Sequence, residues 1–138
     1  IPARSGSKRI KNKNIVKFFG IPFLGRTIKT AKNSQIFKKI IVSSNSQKIL
    51  NLGTKYGAIN YGLREKKFSG DKVTTDKLLI REIHRCNLSN FKFACCIYPA
   101  TPLLDSATLY KAFRKFHSII GIGKQPNDHS NRTSRLSR

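Results

Sequence analysis

GIPFLGRTIKTAKNSQIFKKIIVSS, residues 20–44, runs from a turn through a helix into a strand. Gly20 and Pro22 mark the turn, and Pro22 suits a first helical turn because its ring fixes φ in the helical range. Leu24, Ile28 and Ala31 then recur at helical spacing until Asn33-Ser34 stops the pattern. KKIIVSS (38–44) is short, apolar and β-branched, which predicts a buried strand. An amphipathic helix leading straight into a buried strand is the repeating step of an α/β fold. The question is whether the step continues on both sides.

It does. Ile1-Pro2 reads as the end of a strand, and residues 3–14 as a loop. On the other side, Ser46 is placed to cap a helix carrying Ile49, Leu50 and Tyr56, with Gly57 as its terminator. AINYGL (58–63) is a weaker strand, and SGDKVTT (69–75) a polar loop. Thr74 or Thr75 caps the next helix, whose apolar face is Leu78, Leu79 and Ile83. FKFACCIY (91–98) is the most strand-like run in the chain, and PATP (99–102) breaks it. Asp105 or Ser106 starts a helix with Leu109, Phe113 and Phe116 on one side; SIIGIG (118–123) is a further candidate strand. The remainder to Arg138 has no apolar periodicity and reads as loop. Strands alternating with helices predict an α/β domain with a mostly parallel sheet, and no internal repeat or linker divides residues 1–138. In such folds the loops at the strand C-termini gather on one edge, where ligands bind. Loops 3–14, 43–46, 63–75 and 98–105 are therefore expected together.

Composition narrows the ligand. The chain has 28 Lys and Arg against 6 Asp and Glu, a net charge of +22. That favours an anionic partner: nucleic acid, an anionic membrane or a phosphorylated small molecule. No apolar run approaches the roughly 18 residues of a transmembrane helix, and no signal-peptide core is present. Cys86, Cys95 and Cys96 lack CxxC spacing, which argues for buried reduced thiols in a cytoplasm rather than disulfides or zinc. His84, His117 and His129 are scattered.

The first loop, IPARSGSKRIKNKN (1–14), is the most informative. Gly6 allows a tight turn, Arg4, Lys8, Arg9 and Lys13 can neutralise a polyphosphate, and Ser5 and Ser7 can donate hydrogen bonds. It is neither GxxxxGK[ST] nor GxGxxG. On its own it fits a phosphate cradle or a basic arm equally.

Four stretches in collinear order break the tie. IPARSGSKRIKNKN resembles the signature loop of the nucleotide-sugar cytidylyltransferases, the CMP-sialic acid synthetase group, with Ser5 where a second glycine is usual. GIPFLGRTIKTAKNSQIFKKIIVSS is similar to that family's turn, helix and second strand. YGAINYGLREKKFSGDKVTT resembles its Leu-Arg stretch and Ser/Thr-rich loop, and FACCIYPATPLL its strand ending in a Pro-Thr/Ser-Pro-Leu pattern. The CCIY version looks closest to the pseudaminic acid branch. The resemblance covers roughly residues 1–123. It implies a Rossmann-like, three-layer α/β/α fold of the nucleotide-diphospho-sugar transferase type. It also implies a reaction in which CTP and an acidic nine-carbon sugar, pseudaminic or sialic acid, give a CMP-sugar and pyrophosphate, for surface glycan or flagellin glycosylation.

Carried over residue by residue, the resemblance gives Arg4 and Lys13 the triphosphate, as catalytic groups. Ala3, Ser5, Gly6, Ser7, Lys8 and Asn14 belong to the same loop. Arg64 falls near the cytosine side and Thr75 at a hydroxyl position; Tyr98, Ala100 and Thr101 line the nucleotide and sugar pocket. Each has a plain alternative when taken alone. Arg64, among Glu65, Lys66 and Lys67, is an ordinary surface charge; Thr75 is a cap; Tyr98 packs at a strand end; Cys95 and Cys96 are core thiols. The resemblance further implies Mg2+ and a homodimer. The family's metal carboxylates and dimerisation segment lie further towards the C-terminus than Arg138, so no metal ligand is expected in 1–138 and the domain is expected to be incomplete, its own activity doubtful. Asn45-Ser46 stands where the family often has acidic residues. The rival readings are a basic nucleic-acid-binding protein, against which the aromatics fall on core-like faces, and a related nucleotidyltransferase using another sugar.

Overall fold

The computed structural model describes residues 1–7 and 10–120. Its first regular element is a 3-10 turn, Lys13–Ile15, followed by a hairpin of β1 (Lys17–Phe18) and β2 (Ile21–Pro22). The two strands pair antiparallel, Lys17 opposite Pro22 and Phe18 opposite Ile21. Phe19 and Gly20 make the connection with φ of 47° and 75°. Two successive positive φ values match the right-handed twist of a two-residue hairpin, which explains the glycine. The sequence pattern predicts the turn there but not the strands.

Four helices follow: α1 (Phe23–Asn33), α2 (Gln47–Lys55), α3 (Thr75–Arg85) and α4 (Ser106–Ile119). All four lie where periodicity predicts them. Ser46, Thr74 and Asp105 occupy the N-cap positions of α2, α3 and α4, and Asp105 makes a side-chain cap, accepting from Thr108 N at 2.6 Å. Gly57, just past α2, has φ of 91°, a left-handed C-terminal stop that a Cβ would strain.

Between the helices, three extended segments run side by side. Pro2 bridges Ser43 and Ile41 bridges Ile59, both in parallel sense. The Ile1 nitrogen donates to Ile41 O at 2.7 Å, Ser43 N to Ile1 O at 3.0 Å and Ala3 N to Ser43 O at 2.9 Å. Ile59 N reaches Ile40 O at 2.8 Å on the other side. Segment 40–44 is thus the middle of the three. No further bridge joins them among the described residues, although Arg64 N also donates to Ser44 O at 2.7 Å.

Two predicted strands are corrected. Residues 91–98 form no ladder: an apolar β-prone run becomes a strand only with a backbone neighbour, and none pairs with it among the described residues. Only Ile97 of that run is buried, and Cys95, predicted to be a core thiol, is exposed. Of SIIGIG, Ser118 and Ile119 belong to α4, which overruns the predicted boundary, and 121–123 lie outside the described residues, as do 124–138.

Helix α1 holds the molecule together. Leu24 and Ile28, both 0% exposed, pack with Ala3, Val42, Ile49, Leu50 and Ala58. Ala31, one turn on, packs with Ile97 and Leu109. Thr27 Oγ1 donates to Pro99 O at 2.9 Å and Thr30 Oγ1 to Leu104 O at 3.3 Å. The helix therefore buttresses the 1–3 and 40–44 segments with one face and pins 97–104 with another.

Candidate functional site

The site is built from the chain where it leaves those extended segments. Ala3, fully buried, is the last residue held by the parallel bonds. The carbonyl of Arg4 accepts from Asn14 Nδ2 at 2.8 Å, and Asn14 is itself only 5% exposed. Asn14 is thus a buried tie that fixes the loop's start from its far end, and it places Lys13, half-buried in the 3-10 turn, beside it. Ser5 is bound twice: its N–H and its Oγ both donate to Asn45 Oδ1, at 2.9 and 3.1 Å. Gly6 follows with φ of 77°, and a Cβ there would meet nothing within 4 Å. Its glycine is required by backbone conformation, not crowding, and its open side faces no protein atom. Ser7 is half-buried; Lys8 lies outside the described residues.

The first turn of α2 completes one wall. Ser46 and Lys48 line a small pocket together with Arg4, Ser5, Gly6 and Ser7. Ser44, 0% exposed, accepts Ser46 N on its Oγ at 3.1 Å and Arg64 N on its carbonyl at 2.7 Å. The end of segment 40–44 therefore supports both the first loop and the third.

Arg64 is the least expected residue in the site. It is 5% exposed, and its Nε and Nη2 have no hydrogen-bond partner. Burial pulls its pKa down; Glu82 opposes that, and the charge of Arg4 adds to it. Glu82, 7% exposed, is held by Arg85 at 2.6 Å, so Arg64 interacts with it only through space. A guanidinium this deep leaves Nε and Nη2 without a protein acceptor, which is costly for a buried cation.

The loop that follows Arg64 spans the site. Glu65 is bound by Arg81, whose Nε lies 2.7 Å away, and by Lys67 at 3.1 Å, and these cations hold its carboxyl below the usual range. Asp71 forms an ion pair with Arg4. Thr75, the first residue of α3, shares a hydrogen bond of 2.6 Å with the hydroxyl of Tyr98. One connection, 64–75, thus joins the Ser44 carbonyl, Arg4 and Tyr98.

The structure therefore gathers Arg4, Ser5, Gly6, Ser7 and Asn14 around one small pocket, with buried Ala3 at its root and Lys13 next to Asn14. Arg64 is tied to the same Ser44 that supports the pocket wall, while Thr75 and Tyr98 form a pair of their own on the far side of the 64–75 connection. Thr101 is linked through Tyr98, to whose carbonyl it donates at 2.9 Å; Ala100 is half-buried beside it with no hydrogen bond to the loops. Two participants, Asn45 and Asp71, are absent from the sequence-based set. Asn45 had a signal, since it directly follows a predicted strand on the ligand edge; the pairing of Asp71 with Arg4 had none. Among the described residues no group of three His, Cys, Asp or Glu stands where it could hold a metal ion, and no helix is long and apolar enough to cross a membrane.

The cytidylyltransferase family profile matches residues 1–118. A Campylobacter jejuni pseudaminic acid cytidylyltransferase is 37% identical over 118 residues, 84% of this chain and 51% of that protein. A Helicobacter pylori protein named pseudaminic acid cytidylyltransferase and UDP-2,4-diacetamido-2,4,6-trideoxy-beta-L-altropyranose hydrolase is 42% identical over 111 residues, 80% of this chain and 22% of that protein. An Escherichia coli N-acylneuraminate cytidylyltransferase is 28% identical over 145 aligned positions, 100% of this chain and 32% of that protein. The chain spans about half the length, or less, of these curated relatives.

Proposed function

The chain belongs to the cytidylyltransferase family, and on that premise we propose that it is a nucleotidyltransferase domain that binds CTP and passes CMP to an acidic nine-carbon sugar, pseudaminic acid before sialic acid. The observation that carries this reading is Arg64, a buried cation with two unmatched N–H groups, beside a glycine loop bearing Arg4 and Lys13. The sugar's anomeric hydroxyl attacks the α-phosphorus, a new P–O bond forms, the α–β bridge breaks and pyrophosphate leaves; the hydroxyl proton passes to solvent. Such transfers depend on positioning and charge neutralisation. In this reading Arg4, Lys13 and Lys8 face the triphosphate with the Gly6 and Ser7 amides, Arg64 sits on the cytosine side, and Thr75, Tyr98, Ala100 and Thr101 border nucleoside and sugar.

The parallel bridges support a Rossmann-like, mostly parallel sheet between two helical layers, in one nucleotide-binding domain over 1–138. The same reading includes a cytoplasmic setting, where CTP is made, and a homodimer. Mg2+ is the metal that this chemistry calls for, but the described residues do not fit it. Asp71 stands at the loop paired to Arg4, and among the described residues no group of three or more His, Cys, Asp or Glu gathers to hold an ion. No step is therefore assigned to the ion.

The test is calorimetric titration of the chain with CTP, CDP, cytidine and duplex DNA, followed by incubation with CTP, Mg2+ and pseudaminic or sialic acid while pyrophosphate is measured. Saturable CTP binding that DNA does not displace is expected. Salt-sensitive duplex binding, tighter than CTP and indifferent to it, would replace this reading with the nucleic-acid one.

A further inference from the structure

We infer that Asn45 is a positioning residue: it latches Ser5 so that the phosphate-facing part of the first loop begins at Gly6. The inference rests on the CTP-binding reading above for its functional side, and on geometry alone for the latch.

Two donors of one residue converge on one acceptor atom, Asn45 Oδ1, from Ser5 N and Ser5 Oγ. That oxygen is offered from a fixed platform. Asn45 follows Ser44, which is fully buried and bonded through both its carbonyl and its hydroxyl. It also follows Ser43, whose carbonyl holds Ala3 N. On the loop side, Arg4 is held through its carbonyl by buried Asn14. Residues 3, 4 and 5 are thus each tied by a different group, and Gly6, in the left-handed region, is where the chain is released.

The latch has a chemical consequence. Ser5 reads from sequence as a donor to phosphate, yet both its donors are committed to Asn45. The next backbone donor along the loop is Gly6 N, one residue later. Because the latch is neutral, it fixes the loop without setting a carboxylate beside a triphosphate. A loop held open in advance binds its ligand without having to be ordered at that moment.

The experiment uses the 138-residue chain, with Asn45→Ala and Asn45→Asp. It reads the exchange of the Ser5 amide by NMR, together with affinities for CTP and for cytidine. Asn45→Ala is expected to expose the Ser5 amide to exchange and to weaken CTP roughly tenfold, the equivalent of about one lost hydrogen bond. Cytidine, which has no phosphates, is expected to bind as before. Asn45→Asp keeps an acceptor, so Ser5 stays protected, while CTP weakens by an amount that shrinks as salt is added. A purely structural role would weaken CTP and cytidine together, and that result overturns the inference; so does an Asn45→Ala chain with an unchanged Ser5 amide. Should the wild-type chain bind no CTP, the functional reading fails by itself, and the Ser5 amide still decides the latch.

Discussion

Arg64→Met separates what the fold wants from what the site wants. Arg64 is 5% exposed with Nε and Nη2 unmatched. Each unmatched buried donor costs roughly 1–3 kcal/mol in the ligand-free protein, more when it is charged. Methionine fills a similar length with no polar atom and adapts to an irregular site. Two terms oppose the gain. The through-space attraction of Glu82 is lost, but Glu82 keeps its bond to Arg85 and is not orphaned. The backbone bond from residue 64 N to Ser44 O, 2.7 Å, does not depend on the side chain and survives. Replacing a buried charge by a well-packed apolar group is commonly neutral or stabilising by about 1–4 kcal/mol. The net expectation is a gain of about 1–3 kcal/mol, or roughly 3–9 °C in Tm for a domain of this size. In the same variant CTP binding should fall at least about a hundredfold, since a charged partner is lost where nothing replaces it. Urea unfolding and calorimetry on one preparation measure both. A variant that is less stable than wild type by more than about 1 kcal/mol while binding CTP normally refutes the reasoning, because Arg64 would then be a structural cation.

Three further outcomes are expected. Leu24→Ala, at a position 0% exposed in the larger core cluster, should cost about 2–5 kcal/mol in urea unfolding, with the m-value unchanged. Glu65 has its pKa lowered by Arg81 and Lys67, so it adds stability above its unfolded pKa and loses it as pH falls through the folded one; Glu65→Gln should match wild type at low pH and fall below it near neutrality. Thiol labelling of the native chain should modify exposed Cys95 first and spare Cys86, which is 3% exposed, until the chain unfolds; desolvation raises both thiol pKa values, so access decides the order.

Helices were legible because their signals are local. Leu24, Ile28 and Ala31 announce α1 by spacing, and Asp105 announces α4 by its cap. Strand-like runs were harder, because a strand depends on a neighbour that periodicity does not contain. FKFACCIY has strong β propensity yet no pairing among the described residues, whereas Ile1-Pro2, a bare dipeptide read as a strand end, makes an isolated parallel bridge to Ser43. The same limit governs the site. Arg64 sits between Leu63 and Glu65-Lys66-Lys67, a context that says surface; only the return of the chain to Ser44 buries it. Gly6 was legible as a turn, but the acceptor that shapes that turn comes from residue 45, forty positions away.

The scarcity of carboxylates gives Asp71 its weight. Among the described acids, Glu65 is bound by Arg81 and Lys67, Glu82 by Arg85, and Asp105 by the Thr108 amide. Asp76 lies on the first turn of α3 with Thr74 and the local amides, which lower its pKa. Each is taken up by its own neighbourhood. Asp71 alone of these five crosses to the first loop, where it meets Arg4. An anion that bound Arg4 would therefore compete with Asp71 for it. Both partners are partly exposed, at 39% and 46% of their side chains, so the pair is solvated and screened by water. A triphosphate, with several charged oxygens, outcompetes one carboxylate; a lone phosphate monoester gains far less over it. On the CTP-binding reading, the Arg4–Asp71 pair is therefore expected to be exchanged for the triphosphate, and Asp71→Asn should tighten CTP more than cytidine in the same titration.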